Sequence, residues 1–201
     1  MDGTRSTYMK AISELDIPSS YRQNKYCNVL AGICYTLNPG NIVEFGILEG
    51  YSTDVFLRST DAQIVSYDLF ESIGDFPGNR SQFHIIHDRF HEDIVEGRLI
   101  LRPKSFYDAV DDFLDNSIDL IHIDIANDGD VYEFAINNYM RKLTSNGIMI
   151  LEGGSQERDN VEWMIKYNKR NIGEVIKNTN ALVIESFPSI TIMRRGYDTI
   201  I

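Results

Sequence analysis

Cysteine is nearly absent from this chain: 201 residues contain only Cys27 and Cys34. The two stand seven residues apart on one face of one expected helix, too far apart along its axis to bridge. That excludes a disulfide framework or a cysteine metal site, and both read as core thiols. No apolar run approaches the ~18 residues of a membrane span, and the N-terminal MDGTRSTYMKAISEL lacks the apolar stretch of a secretory leader. The expectation is a cytoplasmic protein with no membrane partner. Positive charge is also scarce, with 19 Lys+Arg against 30 Asp+Glu and a formal net charge of -11. A nucleic-acid backbone is therefore a poor partner. The densest basic stretch, Lys166 to Arg170, is interrupted by Tyr167 and Asn168 and reads as a solvated helix end. Only five prolines occur; four fall outside the expected elements and the fifth, Pro103, closes one.

What is present suits one globular domain, 43% hydrophobic and 24% charged. Residues 1–38 form an N-terminal segment and helix, and 41–195 form the core. The organising stretch is NIVEFGILEGYSTDV at 41–55. Ile42, Val43 and Phe45 suit a strand buried on both faces. Gly46 and Gly50 let backbone approach closely, and Ser52 or Thr53 can cap the following helix. Such a strand, glycine turn and helix is where α/β proteins hold nucleotide-like ligands. Glu44 puts a carboxylate at the end of a buried strand, which is costly unless a partner or ligand uses it.

Hydrophobic periodicity predicts helices over 21–37, 52–59, 88–96, 106–114, 131–143 and 157–167. Strands are predicted at 41–45, 62–70, 98–103, 118–125 and 147–155, with 181–187 and 189–195 closing as an antiparallel hairpin. The fold class is α/β: a doubly wound, Rossmann-like sheet of seven strands, mostly parallel, with an antiparallel C-terminal hairpin strand. Right-handed crossovers gather the ends of the first, second, fourth and fifth strands on one edge, and with them Glu44, Asp68, Asp124 and Glu152. Asp68 follows the glycine turn at the offset where an acid reaches ribose hydroxyls. His122 stands two residues before Asp124, so alternation points both side chains the same way, and His122 is a candidate general base. His84, His87 and His91 read as surface or pocket-rim histidines in preference to a zinc cluster.

On these residues the chain resembles class I S-adenosylmethionine-dependent methyltransferases over roughly residues 40 to 195. EFGILEGYST is similar to the first motif of small-molecule O-methyltransferases of the macrocin and catechol types. YDLFES resembles their second-strand motif, and DGDVYEFAINNYMRKLTSNGIMILEGG resembles their stretch from fourth strand to fifth. The resemblance implies S-adenosylmethionine as cofactor and a small-molecule hydroxyl acceptor, such as a sugar or natural-product intermediate. It implies cofactor contacts at Glu44, Gly46, Gly50, Ser52, Asp68, Ser105 and Asp124. Asp124, His122 and Glu152 become the catalytic candidates. A divalent cation such as Mg would fall to Asp124 and Glu152, although the pair after the fifth strand is Glu152-Gly153 where cation-dependent relatives carry Asp-Asp or Asp-Asn. Asp124, Asp128 and Asp130 all remain open for the ligand position in the loop after strand four. A homodimer is compatible with these features. The competing readings are a non-catalytic cofactor-binding module and a methyltransferase acting on nitrogen.

Overall fold

The computed structural model describes residues 26–70 and 83–195. Its centre is β1 (Asn41–Phe45), whose side chains alternate between two apolar clusters. Ile42 enters one cluster, while Val43 and Phe45 enter the other. A strand buried on both faces belongs in the middle of a parallel sheet. β1 accordingly pairs in parallel with β2 (Gln63–Asp68) and β4 (Ile118–Ile123).

β3 (Leu99–Pro103) extends the sheet beyond β2, and β5 (Leu143–Glu152) lies beyond β4. The expected closing hairpin is present as β6 (Leu182–Ile184) and β7 (Ile190–Arg194). β7 inserts antiparallel beside β5, so the seven strands run β3-β2-β1-β4-β5-β7-β6.

Helices α1 (Tyr26–Leu37) and α2 (Tyr51–Ser59) supply Tyr26, Leu30, Val55 and Phe56 to one face of the sheet. The expected core thiols Cys27 and Cys34 are buried and free on α1. On the same face lie α3 (Phe83–Arg89), through Ile86, and Phe90, which leads into α4 (His91–Val95). α5 (Gly129–Tyr139) covers the other face with Val131, Tyr132, Ala135 and Tyr139. The remaining helices are short: α6 (Gln156–Asp159), α7 (Glu162–Lys166) and α8 (Ile172–Ile176). No helix among the described residues is long and apolar enough to cross a membrane.

Three segments depart from expectation. Residues 106–114 keep their apolar spacing, with Phe106 and Ala109 buried, but form only a turn and a 3-10 helix at Val110–Asp112. The cause is competition for the backbone: the Tyr139 hydroxyl donates to the Phe106 carbonyl at 2.6 Å, and Ser105 Oγ accepts from the Tyr107 N–H. Residues 157–167 split into α6 and α7. Asp159, at the end of α6, turns its carboxylate away to accept from the N–H groups of Ile172 and Gly173. Those two bonds cap α8, an element the sequence pattern does not reveal. In the 83–95 stretch there are two helices, where only 88–96 was expected. An acceptor pocket is expected from residues 1–30, 71–97 and the loops after strands four and five, and of these 1–25 and 71–82 lie outside the described residues.

Candidate active site

Strand register places the acids in two rows across the α1 face of the sheet. The inner row is Ser66, Glu44 and His122, because Glu44 pairs with Ser66 on one side and His122 on the other. One step nearer the C-terminal edge come Asp68, Gly46, Asp124 and Glu152. Strand alternation brings all four expected carboxylates to this face.

Glu44 is fully buried. Its Oε1 accepts from Ser52 Oγ at 2.5 Å, and its Oε2 accepts from Thr53 Oγ1 at 2.6 Å and Ser66 Oγ at 2.7 Å. Burial raises its pKa, and the three hydroxyls oppose that rise. The cost of a carboxylate in the core is thus offset by the protein's own hydroxyls. The expected capping role of Ser52 and Thr53 is corrected here: Gly50 is the N-cap of α2, in the left-handed region and without a side-chain cap. The two hydroxyls point back to Glu44 instead.

Gly46 has φ 89 and its N–H donates to the Tyr67 carbonyl. A Cβ there would overlap the Asp124 carbonyl oxygen and lie 2.8 Å from the carbonyl carbon. Gly46 therefore lets the ends of β1 and β4 close up. Gly50, at φ 78, faces the Phe90 ring, where a Cβ would come to 2.5 Å. Both glycines serve protein-protein contacts within the fold.

Asp68 is half-buried. Oδ2 accepts from the Ile47 N–H and Oδ1 from the Phe70 N–H, each at 2.8 Å. These bonds fix the carboxylate against the glycine turn. A carboxylate offers about four acceptor positions, so two remain for a ligand's donors. Ser105 lies half-buried just after β3, with Oγ and carbonyl both engaged in its own turn.

Asp124 is also half-buried, and its N–H donates to the Phe45 carbonyl at 2.9 Å. Desolvation raises its pKa well above the usual value; the charge of Glu152 adds to the rise and Arg158 opposes it. Asp128 is otherwise occupied: Oδ1 caps α5 through Asp130 and Val131, while Oδ2 meets Lys169 Nζ at 2.9 Å. Asp130 faces Arg170 at 3.6 Å. Of the three aspartates in this stretch, Asp124 alone stands at the sheet edge.

Glu152 has a partner that the sequence pattern does not announce. Arg158 donates through Nε to Oε1 at 2.7 Å and through Nη2 to Oε2 at 3.0 Å, a bidentate buried pair. Nη2 also donates to the Asn127 carbonyl at 3.1 Å. At Glu152 the expected metal role competes with this pair, since both of its oxygens already accept from Arg158. Among the described residues there is no group of three or more His, Cys, Asp or Glu that could hold a metal. His84 and His87 lie on α3 and His91 begins α4, with the His87 and His91 rings 5.8 Å apart.

His122 points as alternation predicts but lies too deep for the base role. It has no exposed surface; Nε2 meets the Tyr26 hydroxyl at 3.0 Å, and Nδ1 stands 3.8 Å from Glu44 Oε1. Burial lowers its pKa to about 3, so the ring is neutral near pH 7. A general base must reach the proton it removes. Asp124, one step nearer the sheet edge, is half-buried where His122 is closed off.

The sequence matches the methyltransferase domain family over residues 43–152, more than half of the chain. Among curated proteins, none matches it by sequence. Several solved structures share the fold. An SAH-bound methyltransferase from Podospora anserina has TM-score 0.62 and 16% identity, covering 97% of this chain and 88% of its own. An O-methyltransferase from Bacillus cereus in complex with SAH has TM-score 0.61 and 16% identity, with 96% and 90% covered. The O-methyltransferase TomG from Streptomyces achromogenes, involved in tomaymycin synthesis and solved with SAM, has TM-score 0.61 and 15% identity, with 96% and 89% covered.

Proposed function

Because this chain belongs to the family of methyltransferase domains, we propose that it moves the methyl group of S-adenosylmethionine to a hydroxyl of a small molecule, a sugar or natural-product intermediate. The observation that carries this reading is the edge row itself, in which half-buried Asp68 and Asp124 flank the Gly46 turn. Their different surroundings suit different tasks. Asp68, anchored by two backbone N–H groups, keeps acceptor capacity that matches the paired hydroxyls of a ribose. Asp124, with its raised pKa, is poised to take a proton from a hydroxyl.

When bound, the cofactor supplies a methyl group activated by a positive sulfur. The chain's part is to hold the acceptor oxygen in line and to accept its proton, which is mostly proximity and orientation. Glu44 acts here as a positioning residue, fixing the start of α2 behind the turn. The net charge of -11 favours a small acceptor over nucleic acid.

Calorimetric titration with S-adenosylmethionine and S-adenosylhomocysteine tests the cofactor, and methyl incorporation into a panel of sugars and phenolic compounds tests the acceptor class. Micromolar binding and transfer to a panel hydroxyl are expected. Binding of neither cofactor form, or preferential methylation of tRNA or protein, would sink the proposal.

A further inference from the structure

The glycine turn after β1 is gripped from outside by the helix pair that follows β2. Arg89, the last residue of α3, is exposed, yet its side chain is committed. Nη1 donates to the Glu49 carbonyl. The guanidinium lies over two rings, 5.2 Å from the Tyr51 centroid and 5.1 Å from that of Phe90, within the range where a cation is attracted to a ring face. Both rings belong to the turn's surroundings. The Tyr51 hydroxyl donates to Glu49 Oε2 at 2.6 Å, and Phe90 is buried against Gly50, where no Cβ would fit.

What Arg89 holds is a strained piece of backbone. Leu48 has φ 49, in the left-handed region that L side chains adopt at a cost. A residue stays in such a conformation only while its neighbours fix the chain on both sides. On the strand side, the Gly46 N–H donates to the Tyr67 carbonyl and the Ile47 N–H to Asp68 Oδ2. On the helix side, a single trans peptide does the work. Its Gly50 N–H donates to the Ile47 carbonyl at 2.7 Å, and its other end, the Glu49 carbonyl, points the opposite way to Arg89. Between these anchors the N–H groups of Leu48 and Glu49 have no partner among the described residues, so this is the stretch of the turn left open to a ligand.

We propose that Arg89 is a positioning residue for the cofactor, which acts through the Glu49 peptide to keep the strained turn in its binding shape before S-adenosylmethionine arrives. This rests on the methyl-transfer reading above. Ordering done in advance is not charged against binding, so a held turn binds more tightly than a relaxed one. Without the guanidinium, Leu48 is free to leave the left-handed region in the empty protein, and the cofactor must restore it. That loss is the same for bound substrate and for the transition state, and it belongs in KM with kcat unchanged.

Two variants and two readouts test this. Arg89→Met keeps the aliphatic stem over Tyr51 and Phe90 and removes every donor, whereas Arg89→Lys retains a charge and a donor. For Arg89→Met, calorimetry should show S-adenosylhomocysteine binding weakened about 10-fold. On the panel compound that the wild type methylates, KM for S-adenosylmethionine should rise by about the same factor with kcat within about twofold. Arg89→Lys should bind within about threefold of wild type. In the ligand-free Arg89→Met protein, the Gly50 amide should exchange its hydrogen about 10-fold faster while those of Val43 to Phe45 and the urea midpoint stay as in wild type. Undiminished affinity, or Gly50 exchange at the wild-type rate, overturns the inference. A fall in kcat at unchanged KM overturns it too, as does a lowered urea midpoint in both variants, which would make Arg89 a structural residue. A wild type that binds neither S-adenosylmethionine nor S-adenosylhomocysteine removes the methyl-transfer reading instead, and Gly50 exchange then still decides whether Arg89 holds the turn.

Discussion

A methyl group on Gly46 would have to share space with the Asp124 carbonyl, and the residue's φ of 89 is one that L side chains rarely adopt. Gly46→Ala is therefore expected to cost ~2 kcal/mol or more of stability, read as a lower urea midpoint. Asp68 predicts a different signature. Asp68→Asn leaves one of the two backbone donors facing an amide NH2, a cost of roughly 1–2 kcal/mol, and removes the charge offered to a ligand. Calorimetry should show S-adenosylhomocysteine binding weakened about 10-fold; unchanged affinity would remove Asp68 from the cofactor site. Asp124→Asn should instead lower kcat about 100-fold or more with cofactor affinity within about threefold. Single residues differed in how readable they were. Acids at the ends of apolar strands stand out because burial there is costly. Arg158 does not stand out, since QERDN reads as a solvated polar stretch until the fold sets it beside Glu152. For His122 the period of two gave the direction of the side chain but carried no information about depth, which Tyr26 and Phe56 set from other elements.

At the scale of elements, the start of α2 is tied to β1 and β2 by hydroxyls converging on one carboxylate. Thr53→Val and Ser66→Ala each remove a donor to Glu44 Oε2 and should each cost roughly 1–3 kcal/mol, measured by denaturant unfolding. Because both donate to one oxygen, the double variant should depart from the sum of the two, which a double-mutant cycle reads. Elements whose apolar period and boundary signals agreed were legible. β1 at 41–45 is one, running into its glycine turn, and α1, which stops before Asn38-Pro39-Gly40, is another. Where they were not, a long-range polar contact had decided the matter. The Tyr139 hydroxyl takes the carbonyl that a helix beginning at Phe106 would use, and Asp159 leaves its own helix to cap another. Neither contact has a local signature, because each partner is remote in sequence.

For the whole molecule, the buried titrating groups pull stability in opposite directions with pH. His122 sits at about 3 in the fold against its usual 6.5, so the unfolded chain takes up a proton that the native state refuses. Its contribution is complete above the usual value and is lost as pH falls from there toward 3. Glu44, Asp124 and Glu152 have raised values, so they favour the fold when protonated, and that contribution fades as pH rises through their native values. His122→Gln should therefore show a shallower loss of thermal stability between about pH 7 and pH 4 than the wild type does. An equally steep loss would mean that the histidine is not what makes the protein acid-sensitive.

The hydroxyl cluster on Glu44 has a consequence for how the protein breathes. Removing any one of β1, β2 or α2 from the cluster takes at least one hydrogen bond away from a fully buried carboxylate, so separate opening of the three is costly. In amide hydrogen exchange, the backbone at 43–46, 52–56 and 65–67 should lose protection together, with one common opening free energy near that of global unfolding. The loop carrying Arg158 belongs to a different network and should exchange on its own schedule. The C-terminal edge at β1 and β2 would then behave as part of the rigid frame, and the segment that follows β5 as a separately adjustable unit.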